Sequence, residues 1–218
     1  MALSESEKKS SRGRSLILQS ALQLFSERGY DSTSIDDIRQ AAGFKSKASL
    51  YTHFKSKEEI ASALLKDIME EEDRMLMEAY AAAKPQPLHQ LVAMGKALIE
   101  WGLSHPQEYA FCFVRVQQEM LIQGQPATSI VRSLRSDSAE DRLQASDLLW
   151  LNLIHELRRD YPVRQIADAA LLSMIMSLIS RTMIDRTAFG AISLESRVQQ
   201  IREVCVSVLF TEPVPFPI

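Results

Sequence analysis

Apolar positions recur along this chain at spacings of three and four, and almost nowhere at a spacing of two. In RSLILQSALQLFSERG (residues 14–29), Ile17, Ala21, Leu24 and Phe25 fall on one helical face, and Gly29 is placed to end the helix. In DSTSIDDIRQAAG (31–43), Thr33/Ser34 form a cap, Asp36 and Asp37 put acids in the first turn, Ile35 and Ile38 are apolar, and Gly43 is the stop. A short helix follows over about Ser46–His53. A fourth starts near Ser56, where Ser56 and Glu59 have capping-box spacing, and runs to about Lys84 before KPQP breaks it.

Longer helical patterns come next. They cover Leu88–Ser104, Pro106–Gln123, 138–160 (SAEDRLQASDLLWLNLIHELRRD), Arg164–Phe189 and Ser193–Phe210, separated by His105-Pro106, GQP, Tyr161-Pro162 and Gly190. No internal repeat or low-complexity run interrupts them. The pattern predicts an all-α chain in two parts. Residues 1–60 form a unit of short helices behind a polar, disordered N-terminal arm, and residues 61–218 form a larger bundle reached through a connecting helix.

Composition sharpens this reading. A 46% hydrophobic content supports a real core, and only 7 Gly and 8 Pro argue against a disordered or loop-rich β protein. The formal net charge of -3 does not announce a polyanionic partner. Its distribution is uneven: residues 1–60 carry ten Lys/Arg against eight Asp/Glu, and the remainder fifteen against twenty. Cys112 and Cys205 are far apart in apolar helical patterns, which predicts buried reduced thiols. The arm lacks the apolar run of a signal peptide, and Ile166–Ile184 carries Asp168, Arg181 and several serines. A soluble cytoplasmic protein, outside the membrane, is expected.

The first short helices, with a Gly-containing turn between the second and third, form a helix-turn-helix pattern. Such a unit lays its second helix in the major groove of DNA. Ser46, Lys47, Ala48 and Ser49 occupy the first turn of that helix, with Lys45 just ahead of it. Lysine donates to guanine, serine reaches several base edges, and alanine meets a thymine methyl. Tyr51, Thr52 and His53 suit phosphate oxygens, as do Thr33, Ser34 and Lys57 at neighbouring helix starts. Leu50 and Phe54 share a face and belong to the core. Taken alone, a polar helix flanked by lysines is more often a solvated surface than a DNA reader.

The segment TSIDDIRQAAGFKSKASLYTHFKSKEEI (Thr33–Ile60) closely resembles the DNA-binding signature of TetR-family transcriptional regulators. Upstream, ILQSALQLFSERGYDSTSI resembles the family's first helix and Gly-Tyr/Phe turn. The resemblance covers about Arg14–Leu65 without gaps. Phe44, Lys45, Arg39 and Ala48 stand where the family usually has Val, Ser, Ala and Gly. The resemblance implies binding of double-stranded DNA at a palindromic operator. It implies that the remainder senses a ligand and dimerises, and that the last two helices pair with those of a second copy.

For that remainder the residues supply only general signals. Apolar stripes run along Ala169, Leu172, Met176, Ile179 and Met183, and along Val198, Ile201, Val204, Cys205, Val208 and Leu209. Bulky and polar groups mix over the middle helices, as an apolar site with a few anchors requires. Trp101, Phe111, Arg115, Glu119, Trp150 and His155 are the candidates for contacting a small, largely apolar effector. Such stripes more often form core than pocket. No catalytic residue, cofactor or metal site is expected: the histidines are dispersed, and there is no nucleophile motif, phosphate loop or zinc spacing. The expectation is a dimeric ligand-responsive regulator, a repressor. The alternative is an all-α small-molecule-binding protein or enzyme that retains a non-functional helix-turn-helix, favoured by the overall acidity.

Overall fold

The computed structural model describes residues 5–114, 145–185 and 187–214, and among these every named element is helical, with a single isolated antiparallel bridge between Val163 and Phe210. The described residues divide into two compact units. One takes in the described residues up to Met69 and those of 107–114, the other Glu70–Pro106 and the described residues from Ala145 onward.

In the first unit, α1 (Glu5–Arg28) begins well ahead of the apolar pattern, within the expected arm. It buries Ile17, Leu18, Ala21, Leu22, Leu24 and Phe25, a stripe at helical spacing. Gly29 ends it with φ +83°, a left-handed conformation that glycine adopts without Cβ strain. Next come α2 (Ile35–Ala41) and α3 (Lys47–Tyr51), then α4 (Lys57–Ala82), within which the chain passes into the second unit. Phe111, in a π-helical turn (Ala110–Val114), stacks on Phe25 at 5.6 Å between ring centroids.

In the second unit, α5 (Pro87–Ser104) starts with Pro at a position whose N–H needs no helical partner. It is buried on most sides, by α7 (Ala145–Leu157) and α9 (Leu194–Leu209) above all, while α8 (Asp168–Ile184) packs on α7 and α9. The short α6 (Pro106–Tyr109) lies between α5 and the π turn. No helix among the described residues is long and apolar enough to cross a membrane.

The helix expected over Arg164–Phe189 is trimmed at both ends. Arg164 instead ties the chain to α9: its backbone N–H donates to Leu209 and its guanidinium Nε to Val208, at 3.0 and 2.8 Å. Arg158 holds the same connection, pairing with Asp168 and donating to the carbonyls of Arg164 and Ile166. Those cationic hydrogen bonds outcompete another turn of helix. Most of the two predicted stripes is buried within the chain: Ile179, Met183, Val198, Ile201, Cys205 and Leu209. Met174, Leu194 and Val204 on the same two helices remain exposed.

Candidate nucleic-acid interface

The sequence from Gly29 to Phe54 folds by satisfying its own backbone. Thr33 is 1% exposed, and its hydroxyl donates to the Gly29 carbonyl at 2.8 Å, closing the turn after α1. Ser34 caps α2. Its hydroxyl accepts from the Asp37 N–H, and the Asp37 carboxylate accepts from the Ser34 N–H at 2.8 Å and the Ser34 hydroxyl at 2.6 Å. These bonds, the hydroxyl's first, hold the Asp37 carboxyl below the usual carboxylate range. Gly43 turns the chain at φ +76°.

Helix α3 is only five residues long, too short to persist alone. Ser46 caps it, accepting from the Ser49 N–H at 3.2 Å. Leu50 and Phe54 are buried at its base, which contributes about 1.5–3 kcal/mol each. With that face inward, Lys45, Ser46, Lys47, Ala48, Tyr51 and Thr52 are exposed together. The Ser49 and Thr52 hydroxyls donate to the carbonyls of Ser46 and Ser49, at 2.7 and 2.8 Å.

Besides Thr33, whose hydroxyl is taken in that turn, two predicted contacts point elsewhere. The His53 ring lies edge-on to Phe44, 5.6 Å between centroids, and close against Gly13 of α1. A Cβ at position 13 would lie 2.6 Å from His53 Nε2, so any larger residue there would require the ring to shift. Lys57 donates from Nζ to the Tyr30 carbonyl at 2.9 Å and sits 4.1 Å above the Tyr30 ring.

A polar cluster behind α3 escaped the sequence reading. Asp36 accepts from Arg39 Nε at 2.8 Å and from Gln40 Nε2 at 3.0 Å, and Lys47 Nζ lies 3.8 Å away. Arg39 also donates to the Phe44 carbonyl in the turn. The Arg39 hydrogen bond is the chief reason that the Asp36 carboxyl sits below its ordinary range, and it raises Arg39 in return. The i,i+3 spacing of Asp36 and Arg39 was the available signal.

Of the residues proposed to contact a ligand, Trp150 lines a cavity of about 40 Å³ in the second unit, with Leu91, Ile99, Ile154, Met176 and Cys205 among its neighbours. Trp101 and Phe111 are buried but do not line it, and His155 is 70% exposed beside Asp168. Arg115 and Glu119 lie outside the described residues. Burial pushes the Cys205 thiol up to about 12.

A glycine-turned pair of capped helices, the second packed through Leu50 and presenting lysines outward, defines a helix-turn-helix unit on an all-α chain. Residues 17–64 match the family model for bacterial regulatory proteins of the tetR family. Over 44 residues the chain is 54% identical to the biofilm operon icaADBC HTH-type negative transcriptional regulator IcaR of Staphylococcus epidermidis. That match spans 20% of this chain and 23% of the curated relative. Solved structures share the fold over nearly the whole chain. The ketosteroid transcriptional regulator KstR2 of Mycobacterium tuberculosis has a TM-score of 0.69 at 20% identity, covering 91% of this chain and 95% of that one. A tetR-family regulatory protein from Rhodococcus RHA1 has a TM-score of 0.72 at 13% identity, covering 92% and 98%. Identities this low establish the fold alone. Residues 17–64 are a TetR-family helix-turn-helix domain, set in a chain with the fold of TetR-family regulators.

Proposed function

We propose that this protein is a homodimeric transcriptional regulator that binds a palindromic operator through the Ser46–Thr52 face of each subunit. Residues 1–60 read DNA, and residues 61–218 bind a small, largely apolar effector and dimerise. The observation that carries the reading is the outward face of α3: Lys47 and Ala48 stand exposed on a helix whose other side is anchored in the core, and Lys45 is exposed just ahead of it. Those side chains suit guanine acceptors, phosphates and thymine methyls.

Dimerisation is supported by Met174, Leu194 and Val204, exposed apolar groups on α8 and α9 that a second copy would cover. An effector is supported by the apolar cavity beside Trp150. An occupant too large for this cavity favours conformations in which its walls have parted. Repression is lost if the two α3 helices then no longer match half-sites about 34–36 Å apart. Repression is the sign proposed because the IcaR relative is a negative regulator. A protein acting on DNA in this way works in the cytoplasm and needs no catalytic group.

Fluorescence anisotropy on duplex from around the protein's own gene, compared with unrelated duplex across a salt series, tests the proposal. The reading predicts salt-sensitive binding that favours the former. An all-α ligand-binding protein with a non-functional helix-turn-helix predicts salt-insensitive, negligible retention of both.

A further inference from the structure

Two cations and one carboxylate meet where α2 backs onto α3. The Arg39 side chain is 17% exposed, and its guanidinium donates hydrogen bonds to Asp36 and to the Phe44 carbonyl. Lys47 is 64% exposed and reaches outward, yet its ammonium lies 3.8 Å from the same Asp36 oxygen that Arg39 Nε holds at 2.8 Å. Asp36 thus faces the charges of two side chains, with Gln40 on its second oxygen. Its oxygens are occupied from within the protein, so it is not itself placed to read a base.

Resting on the DNA-binding function proposed above, we infer that Asp36 is a positioning residue that sets sequence selectivity. It balances the charge of Lys47 and Arg39, so that they do not grip phosphate indiscriminately, and it steers Lys47 along α3. Phosphate attraction is the sequence-independent part of DNA affinity, and discrimination comes from base edges. A carboxylate that restrains a lysine at the groove trades the first for the second. Freeing one cation to neutralise one phosphate steepens the logarithmic salt dependence by about 0.9, which tightens non-specific binding about fivefold near 0.15 M salt.

The test measures affinity for a selected operator duplex and for a random-sequence duplex, across salt, for wild type, Asp36→Asn, Asp36→Glu, Lys47→Ala and the Asp36→Asn/Lys47→Ala double variant. Circular dichroism and thermal midpoints accompany each protein. Asn keeps an acceptor for Arg39 while removing the charge. The expected result is that Asp36→Asn binds random duplex about fivefold tighter with a steeper salt slope, so that its operator preference falls by at least that factor. Asp36→Glu retains the wild-type ratio, and the double variant loses the gain. Lys47→Ala alone changes the salt slope by far less than about 0.9. Equal weakening of both duplexes by Asp36→Asn, or a full loss of slope from Lys47→Ala in the wild-type background, overturns the inference while leaving DNA binding intact. Absence of salt-sensitive binding by the wild type overturns the functional reading together with it.

Discussion

The contact between Gly13 and His53 makes a quantitative prediction. Inside a helix, Gly→Ala ordinarily stabilises by roughly 0.5–1 kcal/mol, because the unfolded chain loses freedom that the helix does not use. At position 13 the new methyl would sit 2.6 Å from His53 Nε2 and 2.8 Å from Cε1. Ordinary contact lies near 3.5 Å, so the ring must retreat by roughly 0.9 Å. That shift disturbs its packing against Phe44, and overpacking of this kind costs about 1–3 kcal/mol. His53 is half-buried, so the lower end of that range applies. Gly13→Ala should therefore be neutral or destabilising by up to ~1 kcal/mol in the wild-type background. In a His53→Ala background the clash is absent, and the same substitution should stabilise by ~0.5–1 kcal/mol. Urea denaturation of the four proteins, followed by circular dichroism, gives the coupling energy directly. An identical effect of Gly13→Ala in both backgrounds would refute the assignment of Gly13 as the seat of the His53 ring.

Three further outcomes are expected. Gly95 lines the apolar cavity, and a Cβ there meets only Trp150 at 3.9 Å, so Gly95→Ala should stabilise by ~0.5–1 kcal/mol while weakening any apolar occupant. Thermal midpoints with and without a panel of apolar compounds check both effects. The Asp37 carboxyl is lowered in the folded state, so its contribution is present above the unfolded value near 4 and is lost as pH falls through the folded one. Asp37→Asn should thus cost most at neutral pH and least near pH ~2, as denaturation at several pH values would record. Cys205, pushed up to about 12 by burial, is protonated at pH 8. Iodoacetamide should label it slowly in the folded protein and rapidly in urea, by mass spectrometry. Comparable rates would place the thiol in solvent.

What was legible in the sequence is the local chemistry. The Ser34 cap, the stops at Gly29 and Gly43, and the inward pair Leu50 and Phe54 depend on neighbours a few residues away. Composition and spacing alone reveal them. What was not legible depends on distant partners. Thr33 has a cap's chemistry, but its hydroxyl is taken by the end of α1. His53 turns toward Gly13, a residue of another helix that carries no side chain to advertise the contact. On α7, His155 faces solvent because Leu153, Ile154 and Leu157 take the buried side. The start of α8 shifted because Arg158 and Arg164 anchor the preceding segment, and periodicity does not register such ties. Arg39 announced itself only as a departure from the family's alanine. Its partner Asp36 was visible as a helix-start acid, and the link from both to α3 needed the fold.

The central claim is that the exposed face of α3 reads DNA, with Lys47 among its base-contacting side chains. Selection of bound duplexes from a random pool, run in parallel with the wild type and with Lys47→Ala, tests it most directly. The account predicts a palindromic motif for the wild type and, for the variant, altered base preference at symmetry-related positions of that motif. No enriched motif, or the same motif at every position for both proteins, would contradict it.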